Sequence, residues 1–451
     1  MLNRDQLGQQ TLRQEKWTFV PAKQIVSISR TKGAYIYTRD GQKILDAAGG
    51  CIVSNIGYGV EEVANAVGDS LKNCTFVMPP WLTDEREALV DELREYWLPP
   101  HLSRIHLASG GSEANESAIK MAVQYHAGRG DVDRNIILTR DISYHGTTII
   151  TAAISGHPQR KKGLEGILDV YPSIMTPYPL RCPIGAYHEE ATSFYLGDLE
   201  NTIREIGPER IAALIAEPLN GSSGGAITPP SDYWLGAQKI LAKYGILLIM
   251  DEVMTGFGRT GQKFGSDLYD IKPDLLVAGK GLAGGYAAIA GVFGTEEIAA
   301  GIEAGGFNVM FHTFGALPQS CAAATAVLQI LRRDGLIDRA NQTGARLKAL
   351  LQEKFAQHPL VAEVRGEGML IGLEIVSDRT TLEPFPREAR ITDKVIGYGM
   401  QEGVFFYPGG TGDVRDIICI GPAFIIGDQE IDLIVEKLAT VLDRVLETEN
   451  K

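Results

Sequence analysis

An α/β architecture, with a mostly parallel sheet between helices, is what this sequence predicts, and three observations carry it. Short runs rich in Ile, Leu and Val recur, bounded by polar residues or glycine. Stretches with apolar residues at helical spacing lie between many of them. The two ends of the chain differ, with a hairpin pattern near the start and long amphipathic helices toward the finish.

In chain order, "GAYIYTRDGQKILDAAGG" (33–50) reads as a hairpin turned on Arg39-Asp40-Gly41. "RIHLAS" (104–109) is the first short apolar run, and "SEANESAIKMAVQYHAG" (112–128) after it is a helix. "NIILTR" (135–140) and "IAALIAEP" (211–218) are two more runs, and "YWLGAQKILAKYG" (233–245) is a helix leading into "GILLIMDEV" (245–253). "DLLVAGKG" (274–281) and "IAGVFG" (289–294) follow. All these runs are too short for free-standing helices and read as buried strands. "QSCAAATAVLQILRRDG" (319–335) is helical, "GMLIGLEIV" (368–376) is a strand, and "DQEIDLIVEKLATVLDRVLE" (428–447) is a closing helix. The expected division is a large domain over 55–325 and a smaller α+β domain assembled from 1–54 and 326–451.

Composition narrows the function. With 43 Lys plus Arg against 56 Asp plus Glu, the net charge is −13, which disfavours nucleic acid and anionic membranes as partners. The one compact basic run, Arg160-Lys161-Lys162, reads as a solvated loop. Five scattered cysteines without C-x-x-C, and an opening "MLNRDQLGQQTLRQEKW" without an apolar signal core, predict reduced thiols and a cytoplasmic protein. No run approaches the length of a bilayer span, and the histidines lack metal-ligand spacing such as H-E-x-x-H, so no metal site is expected.

"LLIMDEVMTGFGRTG" (247–261) contains G-x-G-x-x-G at Gly256, Gly258 and Gly261, with Asp274 18 residues after the first glycine. A dinucleotide fingerprint also needs its last glycine to open a packed helix. The sequence that follows, "QKFGSDLYDIKPD", has no apolar stripe, so the motif is read as a turn. Nor is "DLLVAGKG" a phosphate-binding P-loop, since Gly281 follows the lysine.

The chemistry lies in the residues that close these strands. Asp251 ends an apolar run, at the sheet edge where α/β folds place ligands, although an N-cap or an ion pair with Arg259 would also account for it. Lys280 ends another run 29 residues later, between Gly279 and Gly281. A buried lysine has a lowered pKa and attacks carbonyl groups, whereas a surface loop would leave it inert. Together, an acid and a lysine are the two groups that pyridoxal phosphate requires. The lysine links to the cofactor, and the acid keeps the pyridine nitrogen protonated. "LASGGSEANESAIK" adds a strand end, glycines and a helix start, which suits a phosphate, with Ser112 also fitting an N-cap. Tyr144 in "DISYHGTT" could stack on the ring.

At this point the chain resembles the class III (omega-type) aminotransferases, pyridoxal-phosphate enzymes of fold type I. The resemblance rests on "SGGSEANESAIKMA", "SYHG", "AEPLNGSSGGAITPP", "LLIMDEVMTGFGRTG", "PDLLVAGKGLAGGYAAIAGV" and "HTFGALPQSCAAATAVL", in the family's order over roughly residues 17–440. It implies that Lys280 is the Schiff-base lysine and that Asp251 pairs with the pyridine nitrogen. Val253 and Tyr144 would flank the ring, Gly111 and Ser112 would hold the phosphate, and Glu217 would order the site. Thr313 would reach the phosphate in the neighbouring subunit, which implies a homodimer. "GYGVEEV" and the Ala316-Leu317 pair depart from the family's usual pattern.

The implied activity is transfer of an amino group to a 2-oxo acid. A racemase, aminomutase or decarboxylase on the same cofactor is the alternative, separated by whether a 2-oxo acid is consumed in stoichiometric amount. A non-catalytic binding protein on this scaffold would be expected to lack the lysine. Many relatives carry a carboxylate-binding arginine in the C-terminal segment, but "GVFFYPGGTGDVRDIICIGPAF" has none near Tyr407 or Ile418. Arg415 is the arginine nearby, expected to form a solvated ion pair with Asp416 and otherwise to serve the acceptor's carboxylate. Trp81 falls in a segment that lines the pocket in relatives. The expected donor is therefore an amine or ω-amino acid, with a small 2-oxo acid such as pyruvate as acceptor.

Overall fold

Four runs of the large sheet, "IAALIA", "LLIMD", "LLVA" and "AGVFG", are buried along their whole length. Such runs suit a sheet covered on both faces, which is where parallel strands occur. In the computed structural model, which describes residues 26–449, they join a seven-stranded sheet. Its order is Arg104–Ala108, Ala290–Gly294, Leu275–Ala278, Leu247–Asp251, Ile211–Ala216, Ile136–Arg140, Ser173–Ile174. Neighbouring strands from Leu275–Ala278 to Ser173–Ile174 run parallel, and Ala290–Gly294 is antiparallel to both of its neighbours. The periodicity of "IAGVFG" identifies a strand but carries no information on its direction.

Successive strand residues point to opposite faces. Ala213, Ile215, Leu247, Ile249, Leu275 and Val277 pack with Ala114, Ala118 and Ala122 of the helix Gly111–Gly128. Leu214, Ala216, Leu248 and Met250 pack on the other side against Leu199, Ile203, Trp234 and Leu241, from the helices Ala191–Ile206 and Tyr233–Tyr244. Small alanines on the first helix let its start approach the sheet closely. Parallel strands connected through helices leave their carboxyl ends, Ala216, Asp251 and Ala278, on one edge, where ligands bind in such folds.

A second sheet, antiparallel throughout, has the order Val361–Glu367, Leu370–Ile375, Val414–Ile420, Tyr407–Thr411. A third joins the two ends of the described chain. Ile28–Lys32, Tyr35–Thr38 and Lys43–Asp46 form an antiparallel meander, and Val404–Phe405 pairs in parallel with Lys43–Asp46. The hairpin turn at Arg39-Asp40-Gly41 is present, with Gly41 at φ +95°. The opening "MLNRDQLGQQTLRQEKW" lies outside the described residues. Among those described, no helix is long and apolar enough to cross a membrane.

A buried ionic cluster ties the antiparallel sheet to the loop at 178–181. Glu374 accepts hydrogen bonds from Arg365 Nη1 at 2.7 Å, from Arg181 Nη2 at 2.6 Å and from the Tyr178 hydroxyl. Arg365 also donates to the carbonyls of Gly224 and Gly225 at 2.7 and 2.9 Å. Arginine serves here because its planar fork satisfies several acceptors at once. The cluster anchors the 221–225 loop beside the sheet edge just described.

Candidate active site

At that edge lies a cavity of about 320 Å³. Gly110, Gly111, Ser112, Asn115, Tyr144, His145, Glu217, Asp251, Val253 and Lys280 all contribute to its wall. The structure thus brings together all but one of the cofactor-contact residues expected from sequence. Thr313 lies outside this wall and is exposed.

Asp251 and Glu252, adjacent in sequence, face opposite ways. Asp251 is 4% exposed and borders the cavity. Its Oδ2 accepts from Asn115 Nδ2 and pairs with His145 Nδ1, both at 2.8 Å, while Oδ1 accepts from the Val253 N–H at 3.0 Å. Glu252 turns away and accepts the N–H groups of Gly265 and Ser266 at 2.7 Å, with the Thr255 and Ser266 hydroxyls. Neither acid pairs with Arg259. That guanidinium is buried and donates to the carbonyls of Ser54, Gly421 and Pro422, the last at 2.7 Å. Burial lowers its pKa to about 9.

Lys280 begins a tight turn, Lys280–Leu282, and has φ +38°, a left-handed conformation that is uncommon away from glycine. Such strain costs about 1–3 kcal/mol and concentrates at functional sites. The glycine after it is closely packed, since a Cβ on Gly281 would stand 3.2 Å from the Gly256 carbonyl oxygen. The glycines of "TGFGRTG" therefore serve as packing and turn residues, with Gly258 and Gly261 at φ +97° and +79°. Burial lowers the pKa of Lys280, and the charges of Asp251 and Glu217 act in the opposite direction. Glu217 is pushed up to about 7 by burial, and its Oε1 accepts the Gly221 N–H at 2.8 Å.

The helix Gly111–Gly128 opens at the far end of the cavity. Its N-cap is Gly110 in extended backbone, with no side-chain cap. Ser112 is therefore not the N-cap that its sequence context suggested. It lies inside the first turn, and its Oγ accepts the Thr147 N–H at 3.1 Å. The helix's first N–H groups are thus left to a ligand. A Cβ on Gly111 would come within 2.9 Å of Val253, so glycine is what allows this close approach.

Pyridoxal phosphate fits these residues. An uncapped helix start suits its phosphate, a carboxylate held by three hydrogen bonds suits its pyridine nitrogen, and a lysine of lowered pKa suits its aldehyde. Tyr144 and Val253 offer the flanking surfaces.

Asn115 and His145 were not singled out from sequence, although both hold Asp251. Asn115 stands three residues after Ser112, on the same helical face, so helical spacing carried a signal. His145 adjoins Tyr144 but carried no signal of its own.

The substrate-side expectations fare differently. Trp81 is 59% exposed and lies outside the cavity wall. Tyr407 is half-buried on the antiparallel hairpin beside the cavity. Arg415 does not pair with Asp416. Its Nη2 donates to the Phe385 carbonyl at 2.7 Å, and its Nη1 stands 3.5 Å from Asp413. Asp416 instead accepts from the Thr392 hydroxyl at 3.3 Å. Asp416 has φ +59°, so the strand's alternation is broken at this point and adjacent residues do not share a partner. The basic run is no free loop either. Pro158–Lys161 forms a helical turn, Lys161 Nζ donates to the Ala153 carbonyl at 2.6 Å, and Arg160 lies 4.4 Å from the Tyr144 ring centroid.

Comparison with known proteins adds to this geometry. The family model "Aminotransferase class-III" matches residues 19–442. The aminotransferase YodT of Bacillus subtilis, whose activity is uncharacterized, is 35% identical, covering 90% of this chain and 93% of its own. Putrescine–pyruvate aminotransferase of Pseudomonas aeruginosa is 33% identical, covering 92% and 90%. The crystal structure of the omega transaminase from Pseudomonas jessenii in complex with PMP superposes with a TM-score of 0.91 at 29% identity, covering 97% and 98%.

Proposed function

This chain belongs to the class III aminotransferases, pyridoxal-phosphate enzymes of fold type I, and from that premise we propose how its site works and what it accepts. The observation that carries the proposal is the convergence of Lys280, Asp251 and the uncapped helix start on one cavity. When bound, the cofactor supplies an electron sink for the carbon that bears the amino group.

The remaining work falls to the protein. Gly111 and Ser112 hold the phosphate through backbone N–H groups and the Ser112 hydroxyl. Asp251, held in place by Asn115, His145 and the Val253 N–H, would face the pyridine nitrogen and keep a proton there. Val253 and Tyr144, both in the cavity wall, would offer surfaces to the ring. Lys280 Nζ would hold the cofactor's aldehyde, and its free amine would move a proton to and from the donor's amino-bearing carbon. Its lowered pKa makes the neutral amine available for both tasks. Glu217 orders the loop over the ring through Gly221.

The donor is a primary amine or ω-amino acid, and the acceptor a small 2-oxo acid such as pyruvate. Support comes from the wall beside the cavity, where Tyr407 stands and Arg415 is committed to Phe385 and Asp413. Half-reaction rates for a primary amine, an ω-amino acid and common α-amino acids decide the point. The first two are expected to lead. An α-amino acid such as glutamate faster by about tenfold, ~1.4 kcal/mol in barrier, would overturn the reading.

The enzyme acts as a cytoplasmic homodimer whose sites are shared between subunits. Supporting this, Thr313 lies in a segment that exposes Phe307, Met310, Phe311 and Phe314, and Phe76, Met78, Trp81 and Leu82 are also exposed. Apolar surface of this kind marks an interface. Sedimentation with a parallel assay is expected to find activity in the dimer. A fully active monomer would refute the shared site.

A further inference from the structure

A 2-oxo acid carries a carboxylate into this cavity, and a carboxylate leaving water needs a cationic partner. Four cations lie on the segments around Tyr144 and the Tyr407–Thr411 strand, outside the cavity wall itself, and three of them are already engaged. Arg415 bonds the Phe385 carbonyl and faces Asp413. Arg387 donates to the Gly412 carbonyl at 2.9 Å and lies 3.8 Å from Asp413. Lys161 is bonded to the Ala153 carbonyl. Arg160 differs, because among the described residues its guanidinium makes no hydrogen bond and no ion pair.

Its position is set by its neighbours. The guanidinium lies over the ring of Tyr144, a wall residue of the cavity, at 4.4 Å. The turn that carries it, Pro158–Lys161, is held at both sides. Lys161 bonds back to Ala153, and the Gln159 amide hydrogen-bonds with the Thr411 hydroxyl at 2.8 Å. Thr411 ends the strand that begins with Tyr407, and Gly410 of that strand donates to the carbonyl of Ser222, another wall residue, at 2.7 Å. Arg160 therefore stands between Tyr144 and the Tyr407 strand. Its charge also reaches Tyr407, where it opposes the burial that pushes the phenol up to about 12.

A guanidinium over an aromatic ring still has N–H groups to offer a planar carboxylate, and those of Arg160 have no hydrogen-bond partner among the described residues. We propose that Arg160 is the residue that receives the carboxylate of the 2-oxo acid acceptor at the mouth of the cavity. This rests on the acceptor reading given above, and it supplies the cation that neither Tyr407 nor Arg415 provides.

The test uses the cofactor-loaded wild type with Arg160→Ala, Arg160→Gln and Arg160→Lys. Amino transfer to pyruvate is compared with transfer to propanal, which has no carboxylate, and propanoate binding is measured by calorimetry. In the Ala and Gln variants kcat/KM for pyruvate is expected to fall about tenfold or more, mainly through KM, as suits loss of a charge-assisted hydrogen bond. Propanoate is expected to bind more weakly by a similar factor, propanal transfer to change by no more than about twofold, and the Lys variant to fall between. An equal loss with both acceptors would assign Arg160 a structural role through Tyr144 and overturn the proposal. So would unchanged pyruvate kinetics and propanoate binding. If the wild type itself uses propanal but neither uses pyruvate nor binds propanoate, the acceptor reading fails and this proposal fails with it.

Discussion

Replacing Lys280 with alanine is expected to leave a folded protein whose turnover is lower by at least about 10²–10⁴-fold, the range for loss of a positioned acid–base group. The effect should be this large because, among the described residues, no other lysine lines the cavity to replace its Nζ. The helix start at Gly111 and the carboxylate of Asp251 are untouched by the substitution, so the variant can still bind the cofactor without a covalent link. Borohydride reduction followed by intact-mass measurement separates the two roles. Wild type should gain the cofactor's mass and Lys280→Ala should not. A variant that still traps cofactor covalently would show that another residue is the anchor. Removing the side chain leaves the left-handed φ of +38° in place, so thermal unfolding should report little recovered stability.

Asp251→Asn is expected to lower turnover by about 10²–10⁴-fold while the chain still folds. Shape is nearly conserved, and the charge that would hold a proton on the pyridine nitrogen is lost. The hydrogen-bond pattern adds a second cost. Asn115 and His145 meet Oδ2, and the Val253 N–H meets Oδ1. An amide has only one oxygen, so its NH₂ must face a donor whichever way it turns. Leaving a buried donor unpaired costs about 1–3 kcal/mol, and urea unfolding of the apoprotein should show a loss of that order. Turnover near that of wild type, at saturating cofactor, would demonstrate that the carboxylate is only structural.

How much of this was legible beforehand depended on the range of the interactions involved. Strand and helix positions came through to within a residue or two, as in Leu247–Asp251 and Tyr233–Tyr244, because apolar periodicity is a local property of the chain. The conjunction of Asp251, Lys280 and the "SGGSEAN" segment was legible for a related reason. Each closes or follows a strand, and parallel topology sends such strand ends to one edge. The direction of Ala290–Gly294 was not legible, since period and burial are the same for either direction.

By itself, then, the sequence determined which residues are candidates for the chemistry and on which kind of element each one sits. Tertiary structure alone decided how neighbours divide their tasks. It turned Asp251 to the cavity and Glu252 to the turn at 265–266, put Gly110 at the helix cap in place of Ser112, and gave Arg415 to Asp413 and Phe385. It also placed Arg160 on Tyr144. The physical reason is that hydrogen bonds and ring stacking act over about 3–5 Å, and which partners come within that reach depends on how the whole chain packs and not on spacing along it.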